Sequence, residues 1–135
     1  FLKIGSNPSY IKRGDKIIRV EASNLPMGII QDFDVDVVSE QLKANDLLVM
    51  MSDGIFDAPK NVGNPDAWLK RKILEMETDD PQEFADLLLE EVIRTAGGVI
   101  SDDMTVVVSK ICHHTPKWAS IPTYTRREKL FRKAQ

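Results

Sequence analysis

The sequence contains almost no cysteine and no long apolar run, and both absences restrict what the protein can be. Cys112 is the single cysteine among 135 residues, so no internal disulfide can form and a reducing, cytoplasmic compartment is expected. No stretch approaches the roughly eighteen uninterrupted apolar residues of a membrane span. The N-terminal residues lack both an initiator Met and a cleavage-site pattern, which predicts a fragment that begins within a fold.

Positive charge is scarce over most of the chain. The formal net charge is −3, but residues 115–135 hold six Lys/Arg and one Glu, a local balance of +5 that leaves −8 for the rest. An acidic body argues against a nucleic-acid-binding core and is compatible with cation binding. At 135 residues the chain fits one domain, and residues 115–135 are interpreted as a C-terminal arm or tail.

Hydropathy patterns predict a β-rich first half, a helical middle and a final strand. Short β-patterned segments are followed by an unbroken apolar run, which is typical of a buried strand. The predicted strands are residues 2–4, 10–12, 16–21, 33–38, 47–51 and 104–111. Asn64-Pro65 begins one predicted helix, and Asp80-Pro81 begins another, with Glu83 completing a capping box. The predicted fold class is α+β, a mostly antiparallel sheet with a helical pair before the last strand.

Trp68 and Phe84, one in each predicted helix, are interpreted as core residues.

Two acidic motifs lie at the ends of predicted strands. Asp53 and Gly54 follow the buried run, whereas Asp102 and Asp103 precede the final strand. If these strands are antiparallel neighbours, Asp53 and Asp102 converge on one edge of the sheet. Carboxylates on rigid elements suit hard cations such as Mg²⁺ and Mn²⁺, and Gly54 permits a sharp turn and close approach. The same motifs are also typical of a plain turn and a solvated loop.

Side chains for other chemistry are few. The sequence offers no persuasive Ser-His-Asp or Cys-His set for nucleophilic catalysis. Cys112 is followed by two adjacent histidines, but three consecutive ligands cannot close a tetrahedral zinc site and no second cysteine pair exists. We therefore interpret this trio as an ordinary strand end.

Four motifs in order resemble the PPM (PP2C-type) metal-dependent protein phosphatases. Residues 47–57 (LLVMMSDGIFD) resemble the family's apolar strand followed by S/T-D-G, and residues 101–108 (SDDMTVVV) resemble its closing motif. Residues 24–29 (NLPMGI) and 44–46 (AND) match segments of the bacterial branch. The opening at residues 3–9 and the tail at 115–122 are similar to a branch that acts in sporulation.

The resemblance implies that residues 1–114 are the C-terminal half of an αββα phosphatase domain. The complete domain would hold two Mn²⁺ or Mg²⁺ ions, with metal-activated water attacking phosphoserine. The resemblance also implies Asp53 and Asp102 as metal ligands and Gly54 as the turn. Asp57 would be a supporting acid, and Asp103 stands where the family usually has Asn. The implied substrate is a phosphorylated anti-anti-sigma factor whose dephosphorylation activates a forespore sigma factor. The full-length protein is expected to be anchored to the membrane by an upstream region.

One departure from the family concerns the metal ligands. The family takes its first metal acids from the N-terminal half of the domain, and no counterpart is found here, so this fragment alone is expected to be inactive. A second hypothesis is a non-catalytic sheet domain that docks a partner protein or associates with itself through exposed sheet edges. A third is an unrelated α+β domain whose acids merely occupy turns.

Overall fold

The computed structural model describes residues 7–21, 38–60, 62–100 and 102–113. These ranges contain β1 (Ser9–Arg13), β2 (Lys16–Val20), β3 (Leu47–Met51), α1 (Asp53–Asp57), α2 (Pro65–Glu75), α3 (Pro81–Thr95) and β4 (Val106–Lys110). The predicted strand at 2–4, most of that at 33–38, the motif at 24–29 and the tail at 115–135 lie outside the described residues. No helix in the described ranges has the length and apolar character that crossing a bilayer requires.

The strands form one antiparallel sheet in the order β2-β1-β3-β4. A tight turn at Gly14, with φ of 55°, joins β1 to β2, whereas all three helices separate β3 from β4 in the chain. In the β3–β4 ladder, Leu47 pairs with Lys110 and Met51 with Val106. The end of β3 therefore lies beside the beginning of β4. The α+β prediction, with a mostly antiparallel sheet and helices before the last strand, is confirmed.

The helices cover one face of the sheet and enclose the main core. Its fully buried members include residues of the sheet and of every helix: Tyr10, Val49, Ile55, Leu69, Ile73, Phe84, Leu88 and Val92. Trp68 is only 7% exposed, so the prediction that Trp68 and Phe84 are core residues is confirmed. The buried positions Phe84, Leu88 and Val92 recur every four residues, as expected for the inward stripe of a helix.

The caps of the two long helices agree with the sequence, with one exception. Asn64 Oδ1 accepts a hydrogen bond from Ala67 N at 3.0 Å, and Asp80 Oδ1 accepts one from Glu83 N at 2.9 Å. The predicted capping box at α3 is only half formed. The Glu83 carboxylate accepts a hydrogen bond from the Thr78 hydroxyl, which in turn accepts one from Asp80 N. A nearby hydroxyl has thus taken over the reciprocal bond.

Polar contacts fasten the sheet to its surroundings. The buried Tyr10 hydroxyl donates to Asp66 of α2 at 2.6 Å. Burial raises the pKa of Tyr10, and this hydrogen bond raises it further. Near the opposite face, where Ile11, Val20 and Leu48 form a smaller core cluster, Arg13 makes two hydrogen bonds to the fully buried Asp46 at 2.9 and 2.7 Å. The Arg13 pair joins β1 to the turn that precedes β3.

The Asp46 carboxylate is expected to make stability depend on pH. Its pKa is lowered, mainly by the Arg13 hydrogen bond and also by the Lys43 backbone N–H. A lowered folded-state pKa contributes stability above the ordinary aspartate pKa of about 3.9, and this contribution is lost as the pH falls toward the folded-state value. Asp46→Asn should therefore have a lower free energy of unfolding than the parent at pH 7. Between about pH 5 and pH 3 its free energy of unfolding should fall by less than that of the parent.

Urea unfolding of the complete protein at about pH 5 and about pH 3 measures this difference in pH dependence, and unfolding at pH 7 measures the loss of stability. Asp15→Asn, in the exposed turn after β1, is the control and should follow the parent. A pH dependence of Asp46→Asn equal to that of the parent would show that the pair contributes nothing over this range.

Candidate metal centre

The pairing of β3 with β4 continues beyond the last paired residues of each strand. Ser52 N donates to Thr105 O at 3.0 Å, which extends the ladder by one position past Met51 and Val106. The segment that carries Asp53 therefore runs directly against the segment that carries Asp102. The predicted convergence of these two segments at one edge of the sheet is confirmed, although 49 positions separate the two acids in the sequence.

Side-chain and close backbone contacts lock the two segments together. The Ser52 hydroxyl donates to Asp103 O at 3.0 Å and accepts from Thr105 N at 2.9 Å. The backbone of Gly54 packs on the backbone of Asp102 and Asp103. We call Ser52, Gly54, Asp103 and Thr105 the strand-end clasp. It holds together the chain segments on which the two predicted ligands lie.

The sequence predicted a sharp turn and a close approach at Gly54, and the structure shows only the close approach, here to another backbone segment. Asp53–Asp57 forms a short helix rather than a sharp turn, and the φ angle of Gly54 is not positive. What excludes a side chain is space. A Cβ atom at this position would overlap the Asp103 carbonyl oxygen and lie 3.1 Å from its carbonyl carbon. Gly54 is therefore required for close approach of two backbone segments, and the prediction of a turn was wrong.

Asp53 and Asp102 are both exposed. One carboxylate oxygen of each accepts a hydrogen bond from the next backbone N–H, at 3.1 Å for Asp53 and 2.8 Å for Asp102. Within the described part of the chain, the other oxygen of each makes no hydrogen bond, and no Lys or Arg forms an ion pair with either acid. Each carboxylate thus keeps an oxygen that could bind a cation.

The two supporting acids are placed differently. Asp57 is exposed at the end of α1, four residues after Asp53. This spacing puts the two side chains on the same side of the helix, where like charges repel unless a cation lies nearby. Asp103 contributes its backbone carbonyl to the clasp, while its side chain is exposed. An Asn at that position would make the same backbone contacts, which fits its frequent use in the resembling family.

The donor set suits a hard cation in kind but not in number. Carboxylate oxygens are the ligands that Mn²⁺ and Mg²⁺ prefer. However, no group of three or more His, Cys, Asp or Glu within the described residues is arranged to hold a metal ion. Cys112 and His113 follow the end of β4 at Lys110, and His114 lies outside the described residues. A complete centre needs further ligands from water or from other segments.

Two residues whose contacts hold the ends of β3 were missed by the sequence analysis: Ser52 beside the candidate centre, and Asp46 at the opposite end of the strand. Ser52 was noted only as a letter of the S-D-G motif, although its hydroxyl bridges residues 51 and 53 positions away. Asp46 was noted only as part of a turn, although its carboxylate anchors the start of β3. Local sequence offered no signal for the long-range partners of either residue. Asn45, with φ of 67°, does have a local signal, since Asn tolerates left-handed backbone better than most residues.

The comparisons with known proteins agree on the family. Residues 1–111 match the family model described as Stage II sporulation protein E (SpoIIE). Stage II sporulation protein E of Priestia megaterium is 68% identical over 94% of this chain, and that of Bacillus subtilis (strain 168) is 70% identical over 90%. The chain spans only 22% and 15% of the length of these two relatives. The phosphoserine phosphatase RsbU of Bacillus subtilis is 26% identical over 73% of the chain and 30% of its own length.

Solved structures show the same relationship. A structure of the PP2C phosphatase domain and a fragment of the regulatory domain of SpoIIE from Bacillus subtilis aligns with a TM-score of 0.80 and 68% identity, covering 86% of this chain and 34% of that one. The SpoIIE phosphatase domain presoaked with Mn aligns with a TM-score of 0.73 and 65% identity, covering 87% and 52%. The four-stranded antiparallel sheet and its helices therefore match part of a PP2C-type fold, and the chain belongs to the SpoIIE family.

Proposed function

We propose that this chain supplies part of the metal centre of a Mn²⁺- or Mg²⁺-dependent protein serine phosphatase. In this proposal Asp53 and Asp102 are metal ligands, and Asp57 and Asp103 support them. The observation that carries the proposal is the strand-end clasp, which joins the two acid-bearing segments although they are distant in the sequence. Membership of a family whose solved members contain a PP2C phosphatase domain supports the same reaction class.

The roles of the residues follow from their chemistry. When bound, Mn²⁺ or Mg²⁺ would polarise the phosphoryl group and generate a nucleophile from water near neutral pH. Asp53 would supply oxygen ligands from the start of α1, directly after β3, and Asp102 from the segment that leads into β4. The clasp would keep these ligands in place before the cation binds, which reduces the reorganisation needed on binding. Two carboxylates do not complete the coordination shell, so two ions in the whole domain require further oxygen ligands.

For the substrate, we propose a phosphoserine on an anti-anti-sigma factor, with activation of a sporulation sigma factor as the result. The name of RsbU specifies phosphoserine, and the family name specifies sporulation. The acidic balance of residues 1–114 supports a protein substrate over nucleic acid. We further propose that residues 1–114 are the C-terminal part of the phosphatase domain and that residues 115–135 form an arm or tail. We also propose that this domain is cytoplasmic and that an upstream region of the full-length protein anchors it to the membrane.

Phosphate release tests this proposal. The complete protein with Mn²⁺ should release phosphate from a phosphorylated anti-anti-sigma factor, and EDTA should abolish the release because the nucleophile depends on the metal. The 135-residue chain alone should be essentially inactive, since two carboxylates hold a cation poorly. Activity of the complete protein that survives EDTA would contradict the metal-dependent mechanism, and robust turnover by the isolated chain would contradict the claim that its ligands are incomplete.

A second candidate function is non-catalytic docking or self-association. Among the described strands, β2 and β4 form the edges of the sheet, and Val107 of β4 is 45% exposed. Exposed edge strands can pair with another chain. Light scattering of the isolated chain separates the candidates: a stable dimer without metal-dependent activity in the complete protein would favour docking over catalysis.

A further inference from the structure

Ser52 occupies the N-cap position of α1 but does not cap it. Its backbone is extended, with φ of −75° and ψ of 167°, and its side chain makes no capping hydrogen bond. A serine at this position usually accepts a hydrogen bond from a backbone N–H two or three residues later. The hydroxyl has therefore given up its ordinary local partner.

The hydroxyl instead bonds across to the segment that follows Asp102. It donates to Asp103 O at 3.0 Å and accepts from Thr105 N at 2.9 Å. Donor and acceptor capacity are both used, and both partners are backbone groups, so the bonds fix the path of the chain rather than one rotamer. Ser52, the residue before Asp53, is thereby joined to the backbone of Asp103, the residue after Asp102.

The pairing of β3 with β4 does not depend on this hydroxyl. Ser52 N donates to Thr105 O independently of the side chain, and five residue pairs continue the ladder toward Lys110. Removing the hydroxyl should therefore leave the sheet intact and free only the short segment from Asp102 to Met104. A local loosening of this kind affects the relative position of two ligands more than global stability.

We infer that Ser52 is a positioning residue of the metal centre, whose hydroxyl sets the spacing between the Asp53 and Asp102 segments before a cation binds. The inference rests on the proposed function, because it concerns the same two carboxylates. It adds that metal affinity is controlled by a residue that is not itself a ligand. Residues that hydrogen-bond a metal ligand directly typically change metal affinity or activity by about 10–100-fold when they are removed. Ser52 acts one step further out, through the backbone, so we expect an effect at the lower end of that range.

Direct Mn²⁺ binding to the complete protein, without substrate, is the experiment that tests this role. The electron paramagnetic resonance signal of free Mn²⁺ gives the dissociation constant for the parent, Ser52→Ala and Ser52→Thr. We expect Ser52→Ala to weaken binding about tenfold or more, with a small change in metal-free melting temperature. Ser52→Thr keeps the hydroxyl and should restore most of the affinity. Ser109→Ala, an exposed serine in β4 without clasp contacts, is the matched control and should bind like the parent.

Activity provides a second readout. Raising the Mn²⁺ concentration should recover most of the kcat of Ser52→Ala, because the defect lies in occupancy and not in the bound state. If Ser52→Ala fails to fold, Ser52→Cys replaces it, since a thiol forms weaker hydrogen bonds; folded Ser52→Cys should still bind Mn²⁺ more weakly than the parent.

The outcomes separate this inference from the proposed function. Absence of Mn²⁺ binding by the parent would overturn both. Suppose that the parent binds Mn²⁺. Equal affinity of Ser52→Ala, or of folded Ser52→Cys if the alanine variant does not fold, would then overturn the positioning role alone. Failure of Ser52→Thr to restore affinity would also overturn it, because the hydroxyl would then not be the active feature.

Discussion

Asp53→Asn and Asp102→Asn are each expected to lower kcat/KM of the complete protein by roughly a thousandfold. Each substitution replaces a charged oxygen ligand with a neutral amide at nearly constant volume. Metal assistance is worth several kcal/mol of transition-state stabilisation, and each 1.36 kcal/mol corresponds to about a factor of ten in rate. Because both side chains are exposed and have no ion-pair partner among the described residues, the fold should tolerate either change. Steady-state phosphate release at saturating Mn²⁺ measures the effect.

Asp15→Asn provides a control for the loss of one negative charge. Asp15 lies in the exposed turn between β1 and β2, and the antiparallel pairing of Lys12 with Leu47 places that turn at the opposite end of the sheet from the clasp. Its activity should match the parent. Retained activity in Asp53→Asn or Asp102→Asn with normal melting behaviour would remove that residue from the ligand set. The interpretation of its carboxylate as part of a solvated turn would then be preferred.

Gly54→Ala is expected to destabilise the complete protein by about 1–3 kcal/mol and to weaken Mn²⁺ binding. Helix propensity alone predicts the opposite sign, since Ala is favoured over Gly in a helix by about 1 kcal/mol. The contact should outweigh propensity, because the new methyl group would overlap the backbone carbonyl of Asp103 and neither partner is a flexible side chain. Relief of that overlap requires the Asp53 and Asp102 segments to separate. Thermal unfolding without metal and Mn²⁺ titration measure the two effects.

Gly63→Ala is the matched control for this substitution. Gly63 is exposed just before α2, its φ angle is not positive, and a Cβ atom there would meet nothing within 4 Å. A Gly→Ala change at a compatible site is neutral or slightly stabilising, because it restricts the unfolded chain. A Gly54→Ala protein as stable as Gly63→Ala would show that the two backbone segments are farther apart than the structure places them.

The elements that the sequence predicted best were those with strong local signals. The run from Leu47 to Met51, the Asn64-Pro65 start of α2 and the Asp80-Pro81 start of α3 all appear as predicted. Caps and unbroken apolar runs act over a few residues, so they can be recognised without a tertiary structure. Helix α1 was missed, because five residues carry too little periodicity to distinguish a helix from a turn.

The candidate centre was predicted in part for the same reason. The sequence showed that Asp53 and Asp102 each adjoin a strand, and antiparallel pairing then brings their segments together. It could not show the close backbone contact at Gly54 or the half-formed capping box at Glu83. Each depends on which neighbouring polar group lies within contact distance in the folded chain. The Thr78 hydroxyl and the Asp103 carbonyl are such neighbours.

Local patterns in the sequence were enough to predict the strands and long helices of the described core, the acidic character of the body and the two motifs that carry Asp53 and Asp102. The contacts that hold those motifs together became visible only in the folded chain. The Ser52 hydroxyl bonds to backbone groups 51 and 53 positions away. At Gly54, a carbonyl oxygen of the same distant segment leaves no space for a Cβ atom. Contacts of this kind come from strand pairing across long loops, which short-range pattern does not encode.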